Sequence, residues 1–321
     1  MLNGSLFTRD FLTEGIRNGA SYGIGELELV SLQALRERAK SAGDLPGRVK
    51  TSVVTGDVRH MHRLRENAGA LFQVASQFNL LEMVSPDVAP EDGVTRYQSD
   101  PTQGPACAIA AGAATIYRNY FAAIEGSEGQ TAGRQFDGLA DLGAALSSAM
   151  GVPVGKLWTM RNGYALGSQT GLDAIARHLG TLPADQIDVV RGRLRIGIHR
   201  DVEVTDAAGP DRPLVSQAFC SALPVAYSRV PSALWEKFAL LVLEAAYEAT
   251  MWAAVLNAQR AVSNVVFLTM LGGGAFGNRG RWIGAAMRRA LGLVTTFDLD
   301  VRLVSYGTPS QELLAIAKEF R

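Results

Sequence analysis

Cysteine is scarce in this sequence of 321 residues, which contains only Cys107 and Cys220. Both lie within apolar runs, a setting typical of buried free thiols. Two cysteines cannot form the disulfide framework of a small secreted domain, and the count fits a reducing compartment. Histidine is also rare: His60 and His62 lie close together, but no cysteine or third ligand follows at a metal-binding spacing. We therefore expect no metal site.

The chain also lacks an excess of charge and a long apolar run. Its 31 Lys and Arg residues balance its 31 Asp and Glu residues, which excludes a chain-wide electrostatic attraction to nucleic acid or to an anionic membrane. No run of 18 apolar residues occurs, and residues 1–5 lack the features of a signal peptide. We expect a cytoplasmic protein without nucleic-acid or membrane partners. A secreted effector exported by a non-classical route is also compatible with these features.

Strand and helix patterns alternate along most of the chain. Residues 70–75 form a continuous apolar run of strand length, and residues 105–121 have a helical pattern that begins with proline. Repeated over 51–306, this alternation predicts an α/β domain with a largely parallel sheet. Because residues 26–38 have apolar residues at roughly helical spacing, we expect an N-terminal helical extension over 1–50. The remaining chain, 51–321, is predicted to be one domain with an insertion at about 125–190.

A glycine-rich loop gives the strongest local signal. A predicted buried strand at 264–271 leads into Gly272-Gly273-Gly274-Ala275-Phe276-Gly277-Asn278, and a predicted helix follows at 281–291. Backbone amides in such a loop, together with the positive end of the helix, suit a phosphate or diphosphate. The other interpretation is a tight turn that needs glycine only for its backbone angles.

Acidic residues are concentrated in a second loop. Residues 81–100 contain five acids and one base, Arg96. A solvated surface explains such a cluster, and so does a pocket for a cation or for a general base. The five acids are Glu82, Asp87, Glu91, Asp92 and Asp100.

Two further acids lie four residues apart on a long apolar helix predicted over 232–257. Glu244 and Glu248 would share one face of this helix. In one interpretation, their carboxylates are paired with arginine side chains or with backbone groups. In the other, they line the far side of a ligand cleft.

Three segments together resemble a macrodomain. Residues 55–58 (Thr-Gly-Asp-Val) are similar to the macrodomain strand that ends in Gly-Asp-Ile. Residues 72–79 occupy the place of its Asn-Ala-Ala-Asn strand end, and residues 273–277 are similar to its diphosphate loop. The resemblance covers roughly 51–306 and is closest to the arginine-specific ADP-ribosylhydrolase macrodomains of bacterial effectors and their relatives. It implies a three-layer α/β/α fold with a mixed, largely parallel sheet.

The resemblance also implies a set of ADP-ribose contacts. Asp57, beside Val58, would accept a hydrogen bond from the adenine amino group. The backbone of residues 272–277 would hold the diphosphate, with Phe276 against the distal ribose, and Asn278 would be a further ligand contact. Tyr306 occupies a position where macrodomains stack an aromatic ring on adenine, although plain core packing also explains this residue.

The sequence departs from the family pattern at two places. Gln73-Val74-Ala75-Ser76 stands where Asn-Ala-Ala-Asn is usual, so the amide role would fall to Gln77 or Asn79. The glycine run of the first family loop is replaced by acidic residues and by Gln103-Gly104. Activities that depend on that run, such as ester hydrolysis at aspartate or glutamate, are therefore not expected.

This departure suits an ADP-ribosylated arginine side chain as substrate. The leaving group is already cationic and the transition state resembles an oxocarbenium ion, so carboxylates that hold the guanidinium and activate water matter most. We assign water activation and ribose contact to Asp100, and guanidinium binding to Asp92 or Glu82. ADP-ribose would be ligand and product, with no cofactor, and an ADP-ribosylated protein would be the partner. The alternative is a non-catalytic ADP-ribose-binding module.

Overall fold

The structure, a computed structural model, describes residues 6–8, 21–43 and 45–321. Its strands within these residues are β1 (Leu6–Thr8), β2 (Ser21–Gly23), β3 (Glu26–Ser31), β4 (Lys50–Thr55), β5 (Leu71–Ala75), β6 (Ala123–Ile124), β7 (Ser127–Glu128), β8 (Trp158–Arg161), β9 (Tyr164–Gly167), β10 (Arg195–Glu203), β11 (Leu214–Cys220), β12 (Val265–Leu268) and β13 (Asp300–Ser305).

The α-helices alternate with these strands, and short 3₁₀ turns occur in the loops. The helices are α1 (Leu32–Ser41), α2 (Val58–Arg63), α3 (Gln103–Ala110), α4 (Gly112–Tyr120), α5 (Ala140–Met150), α6 (Val154–Leu157), α7 (Gln169–Thr181), α8 (Ala184–Gly192), α9 (Ser232–Gln259), α10 (Gly280–Leu293) and α11 (Gln311–Glu319).

Seven strands form the central sheet in the order β3-β10-β11-β5-β12-β13-β4. The five from β11 to β4 are mutually parallel, whereas β10 pairs antiparallel with both of its neighbours. The middle strand β5 is almost wholly buried, because helices cover both faces of a parallel sheet. The predicted α/β class with a mixed, largely parallel sheet is confirmed.

Helices pack on both faces of the sheet, which gives three layers. On one face, α2, α3 and α4 cover an apolar cluster that contains Phe72 and Phe219. On the other face, α1, α9 and α10 enclose a larger cluster centred on α9. Among the described helices, α9 alone is long and apolar enough to cross a membrane, but 78% of its most apolar window is buried inside the structure. It is the central helix of this core.

The two acids on α9 pair with arginines of neighbouring helices. Arg191 donates to Glu244 at 2.5 Å, and Arg36 donates to Glu248 at 2.6 Å. Arg289 also pairs with Glu248. Of the two interpretations of these acids, the one with arginine partners is therefore confirmed, and neither acid lines the cleft described below.

The N-terminal segment differs from the predicted helical extension. Residues 26–31 form β3, an edge strand of the central sheet, and only residues 32–41 are helical. The alternation of Glu26, Leu27, Glu28 and Leu29 has the two-residue period of a strand. Residues 1–5 and 9–20 of the predicted extension lie outside the described residues.

The region predicted as an insertion, about 125–190, contains α5 to α8 and the hairpin of β8 and β9. Leu142, Leu157 and Leu172 of this region are buried in the same apolar cluster as α9. The hairpin reaches a cleft at the ends of the parallel strands through Tyr164. This region is therefore part of the core and also of the candidate site.

Candidate functional site

A cleft of about 440 Å³ lies where the parallel strands end. Its walls come from the loops that follow β4, β5, β11, β12 and β13, at the sheet edge where open α/β folds bind ligands. Because β4 and β13 lie at one side of the sheet and β5 and β11 nearer the other, the strand order gives the cleft two distinct ends.

The glycine loop after β12 forms the middle of the cleft. Gly272 has φ +71°, and a Cβ there would lie 2.4 Å from the Cβ of Ala222. The backbone amides of Gly274, Ala275 and Phe276 have no hydrogen-bond acceptor among the described residues, and α10 begins directly after the loop. Free amides beside a helix N-terminus bind anions such as phosphate.

The remaining residues of this loop support its shape. The side-chain amide of Asn278 donates to the carbonyl oxygen of Leu223 at 2.9 Å, and its backbone amide donates to that of Gly272. The Gly277 amide donates to the Gly274 carbonyl at 3.0 Å. Gly273, Gly277 and Asn278 do not line the cleft, so the structure assigns them to loop geometry.

The end of the cleft beside β4 and β13 contains Asp57, Val58 and Tyr306. The Asp57 carboxylate accepts a hydrogen bond from the Arg59 amide at 2.8 Å and caps α2. Tyr306 is 80% exposed, so it does not pack in the core. Its ring is available to stack on a flat ligand.

Glu82 lies at the opposite end, and its carboxylate is withdrawn into the protein. It pairs with Arg118 at 3.1 Å, and neither side chain is exposed to solvent. Burial raises the pKa of the Glu82 carboxyl, although Arg118 acts to lower it. The Tyr97 hydroxyl accepts a hydrogen bond from the Glu82 amide at 3.1 Å. The Glu82 carboxylate therefore faces Arg118, and this ion pair stabilises the wall of the cleft.

Asp100 also lines this end, and its carboxylate is the more accessible of the two. One carboxylate oxygen accepts hydrogen bonds from the Thr102 amide at 2.9 Å and from the Thr102 hydroxyl at 2.6 Å. The second oxygen has no partner among the described residues. An oriented carboxylate with a free oxygen can accept a proton from water.

Asp92, Glu91 and Asp87 lie outside the cleft. Asp92 accepts from the Ala89 amide at 2.9 Å and closes a local turn, and Glu91 accepts from the Ala132 amide. Asp87 forms an ion pair with Arg161 at 2.7 Å. The structure does not bring Asp92 together with Asp100 and Glu82, because its carboxylate is engaged by its own backbone turn.

The predicted amide-bearing residues mainly hold the walls together. Gln103 bonds the backbone of β5 at two points, accepting from the Ala75 amide and donating to the Gln73 carbonyl. Gln77 lines the cleft and accepts from the Met83 amide at 2.6 Å.

Of the other two residues predicted for this part of the site, Gly104 lines the cleft and Asn79 does not. Asn79 is fully buried, bonds Gln135 and does not line the cleft. Gly104 lines it, and a Cβ there would lie 2.0 Å from the carbonyl oxygen of Ala75. Gly104 therefore permits the close approach of α3 to β5.

An aromatic cluster at this end was not found from the sequence. Tyr164, Tyr227 and Phe276 all line the cleft, with ring centroids 5.2 to 5.6 Å apart. The Tyr164 hydroxyl donates to the Met83 carbonyl at 2.6 Å. Only Phe276 had a sequence signal, its place in the glycine loop, because the two tyrosines come from separate segments that tertiary packing brings together.

Two histidines, His62 and His199, are buried in the structure. His62 is buried against Phe72 at 3.8 Å between ring centroids, and burial lowers its pKa to about 4. His199 is fully buried, and burial together with Arg118 lowers its pKa to about 3. Across the described part of the chain, no cluster of three or more potential metal ligands occurs.

No known protein-family model matches the sequence, and no curated protein sequence matches it. The solved structures similar to this chain include poly(ADP-ribose) glycohydrolase from Deinococcus radiodurans in complex with ADP-ribose. That structure has 14% identity and a TM-score of 0.49, with 91% of this chain and 92% of the other covered. The enzyme of the same name from Thermomonospora curvata has 14% identity and a TM-score of 0.45, with coverage of 92% and 85%.

Proposed function

We propose that this protein is an ADP-ribosylhydrolase that releases ADP-ribose from a modified protein side chain, with arginine as the linkage. One observation carries the proposal. A single cleft combines an exposed aromatic ring at one end, a loop of free amides in the middle and an oriented carboxylate at the other end, represented by Tyr306, Gly274 and Asp100.

The order of these features follows the chemical order of ADP-ribose. Adenine would stack on Tyr306 and hydrogen-bond Asp57 at the β4 and β13 side. The diphosphate would lie on the loop 272–277, where backbone amides and the N-terminus of α10 compensate its negative charge. The distal ribose would then reach Phe276 and the carboxylate of Asp100.

Asp100 would activate the attacking water. The bond between the anomeric carbon and the guanidinium nitrogen breaks, and its electron pair stays on the nitrogen. The water oxygen bonds to the anomeric carbon, while its proton passes to Asp100 and then to the departing guanidine, which leaves as guanidinium. The reaction needs no strong acid because the leaving group carries its proton from the start. The buried pair of Glu82 and Arg118 positions the wall on which this occurs.

A non-catalytic ADP-ribose-binding module is the second candidate. It is favoured by one observation: Asp100 already accepts two hydrogen bonds from Thr102, as a carboxylate with a purely structural task would. Both candidates use the same contacts to ADP-ribose, so only turnover separates them.

The test is titration of the protein with free ADP-ribose, followed by a release assay on arginine-ADP-ribosylated protein. Micromolar binding with release supports the hydrolase. Binding without release supports the binding module. Absence of ADP-ribose binding would contradict both, and the glycine loop would then bind a different anion.

A further inference from the structure

We infer that Tyr227, with Tyr164 and Phe276 packed behind it, forms the specificity surface for a cationic guanidinium on the leaving side of the substrate. This inference rests on the proposed function and deepens it. It assigns arginine recognition to aromatic faces, in place of the acidic residues that the sequence suggested.

The first support is position. The three rings line the end of the cleft opposite Tyr306, near Met83 and Asp100. A substrate whose adenine stacks on Tyr306 therefore directs its distal ribose, and the group attached to it, toward this cluster. Tyr227 lines the cleft and is 37% exposed, so part of this residue is accessible to a ligand.

The second support is rigidity. The Tyr164 ring lies 5.2 Å from the Tyr227 ring and 5.3 Å from the Phe276 ring, measured between centroids. Its hydroxyl donates to the Met83 carbonyl and accepts a hydrogen bond from Gln77. A buried tyrosine fixed at its hydroxyl holds the two more exposed rings in place, and preorganised rings bind with a smaller entropic cost.

The third support is the pairing of the acidic side chains in the loop 81–100. Each of its five acids has a partner within the protein: Arg118 for Glu82, Arg161 for Asp87, and backbone amides for Glu91, Asp92 and Asp100. Only Glu82 and Asp100 of these acids line the cleft: Glu82 is paired with Arg118, and the one free oxygen of Asp100 is the one that the proposed function assigns to water. Aromatic faces attract a planar cation through the ring quadrupole without a formal charge, and this surface is available at the cleft end.

The experiment compares Tyr227→Leu, Tyr227→Phe and the wild type on arginine-linked and serine-linked ADP-ribosylated peptides. The serine linkage leaves a neutral group. Tyr120→Leu is the matched control, because Tyr120 is 38% exposed and lies outside the cleft. Affinity for free ADP-ribose is measured for each protein, and agmatine, a guanidinium probe, is titrated into the protein saturated with ADP-ribose.

We expect Tyr227→Leu to lose about 2- to 30-fold in release from the arginine linkage and in agmatine affinity. The affinity for ADP-ribose and any release from serine should stay at wild-type values, and Tyr227→Phe should restore both losses. Equal losses on the two linkages, or agmatine affinity that Tyr227→Leu does not change, would overturn the inference. A wild type that releases ADP-ribose from neither linkage would overturn the proposed function instead, while the agmatine titration still decides the role of Tyr227.

Discussion

Glu82 and Arg118 form an ion pair 3.1 Å long in which neither side chain reaches solvent. Arg118 also donates from Nε to the Leu80 carbonyl at 2.7 Å, and its guanidinium lies 3.8 Å from the centre of the Phe219 ring. The pair therefore joins the loop after β5 to α4 and the sheet beneath. This connection makes one wall of the cleft rigid.

Removal of one partner from this pair should be strongly destabilising. Arg118→Met leaves the Glu82 carboxylate buried without its counter-charge, and such a change costs about 3–5 kcal/mol in the free energy of unfolding. The double variant Arg118→Met, Glu82→Leu replaces both charges with apolar groups and should recover most of that loss. Urea unfolding monitored by circular dichroism measures both.

An exposed pair provides the control. Arg177 and Asp173 pair at 2.8 Å on the surface of α7, and Arg177→Met should cost less than about 1 kcal/mol. Equal losses for Arg118→Met and Arg177→Met would contradict the structural role given to the buried pair.

Acid should destabilise the fold through its buried histidines. His199 has a pKa of about 3 in the folded protein, against a usual value of 6.5. Unfolding therefore takes up a proton between pH 6.5 and about 3, and the stabilisation present above pH 6.5 declines as the pH falls through this range. His199→Phe removes the group that takes up this proton on unfolding. The slope of the free energy of unfolding against pH should therefore fall by up to about 1.4 kcal/mol per pH unit.

Chemical denaturation between pH 7 and pH 4.5 measures this slope. The exposed His60→Phe variant controls for the loss of an imidazole as such. A slope that is identical in His199→Phe and wild type would show that His199 does not carry this part of the acid sensitivity.

Two neighbouring glycines should respond differently to alanine. At Gly272 a Cβ would lie 2.4 Å from Ala222, and φ is +71°. Gly272→Ala should therefore destabilise the protein by more than about 1 kcal/mol. At Gly274 nothing lies within 4 Å of an added Cβ, so Gly274→Ala should leave the melting temperature nearly unchanged. A larger loss for Gly274→Ala in thermal melts would contradict the loop geometry.

Tyr306 should contribute to ligand binding without contributing to folding. Stacking of a base on an aromatic side chain is worth about 1–3 kcal/mol, so Tyr306→Ala should weaken ADP-ribose binding by about 5- to 150-fold. Its melting temperature should match that of wild type because the side chain is 80% exposed. Calorimetry of Tyr306→Ala and Tyr306→Phe tests this, and unchanged affinity in the alanine variant would remove Tyr306 from the site.

The sequence was sufficient to predict the units formed by local signals. The strand before the glycine loop and the helix after it were expected at 264–271 and 281–291 and are observed at 265–268 and 280–293. The apolar periodicity and the glycines that predict these elements can be read from a short stretch of sequence, without knowledge of long-range contacts. The segment 26–38 was predicted to be helical, and this was wrong for residues 26–31, which form β3. Leu27 and Leu29 fit a strand period, whereas Leu32 and Leu35 fit the helical period of α1.

The composition of the site was harder to predict because it depends on long-range contacts. The chain separates Tyr164 from Phe276 by more than a hundred positions, and only packing brings their rings to 5.3 Å. Whether an acidic side chain reaches the cleft also depends on its partners in the folded protein. Asp92 and Asp100 have the same side chain in the same loop, yet only Asp100 reaches the cleft.

Asp100 and Asp92 can be compared to separate a carboxylate that activates water from one that only closes a turn. Release of ADP-ribose from arginine-ADP-ribosylated protein is measured for wild type, Asp100→Asn and Asp92→Asn, with ADP-ribose affinity determined on the same samples. We predict that Asp100→Asn loses about 10²- to 10⁴-fold in turnover with nearly unchanged affinity, whereas Asp92→Asn retains wild-type turnover. Near-normal turnover in Asp100→Asn, at unchanged ADP-ribose affinity, would show that Asp100 does not activate the water.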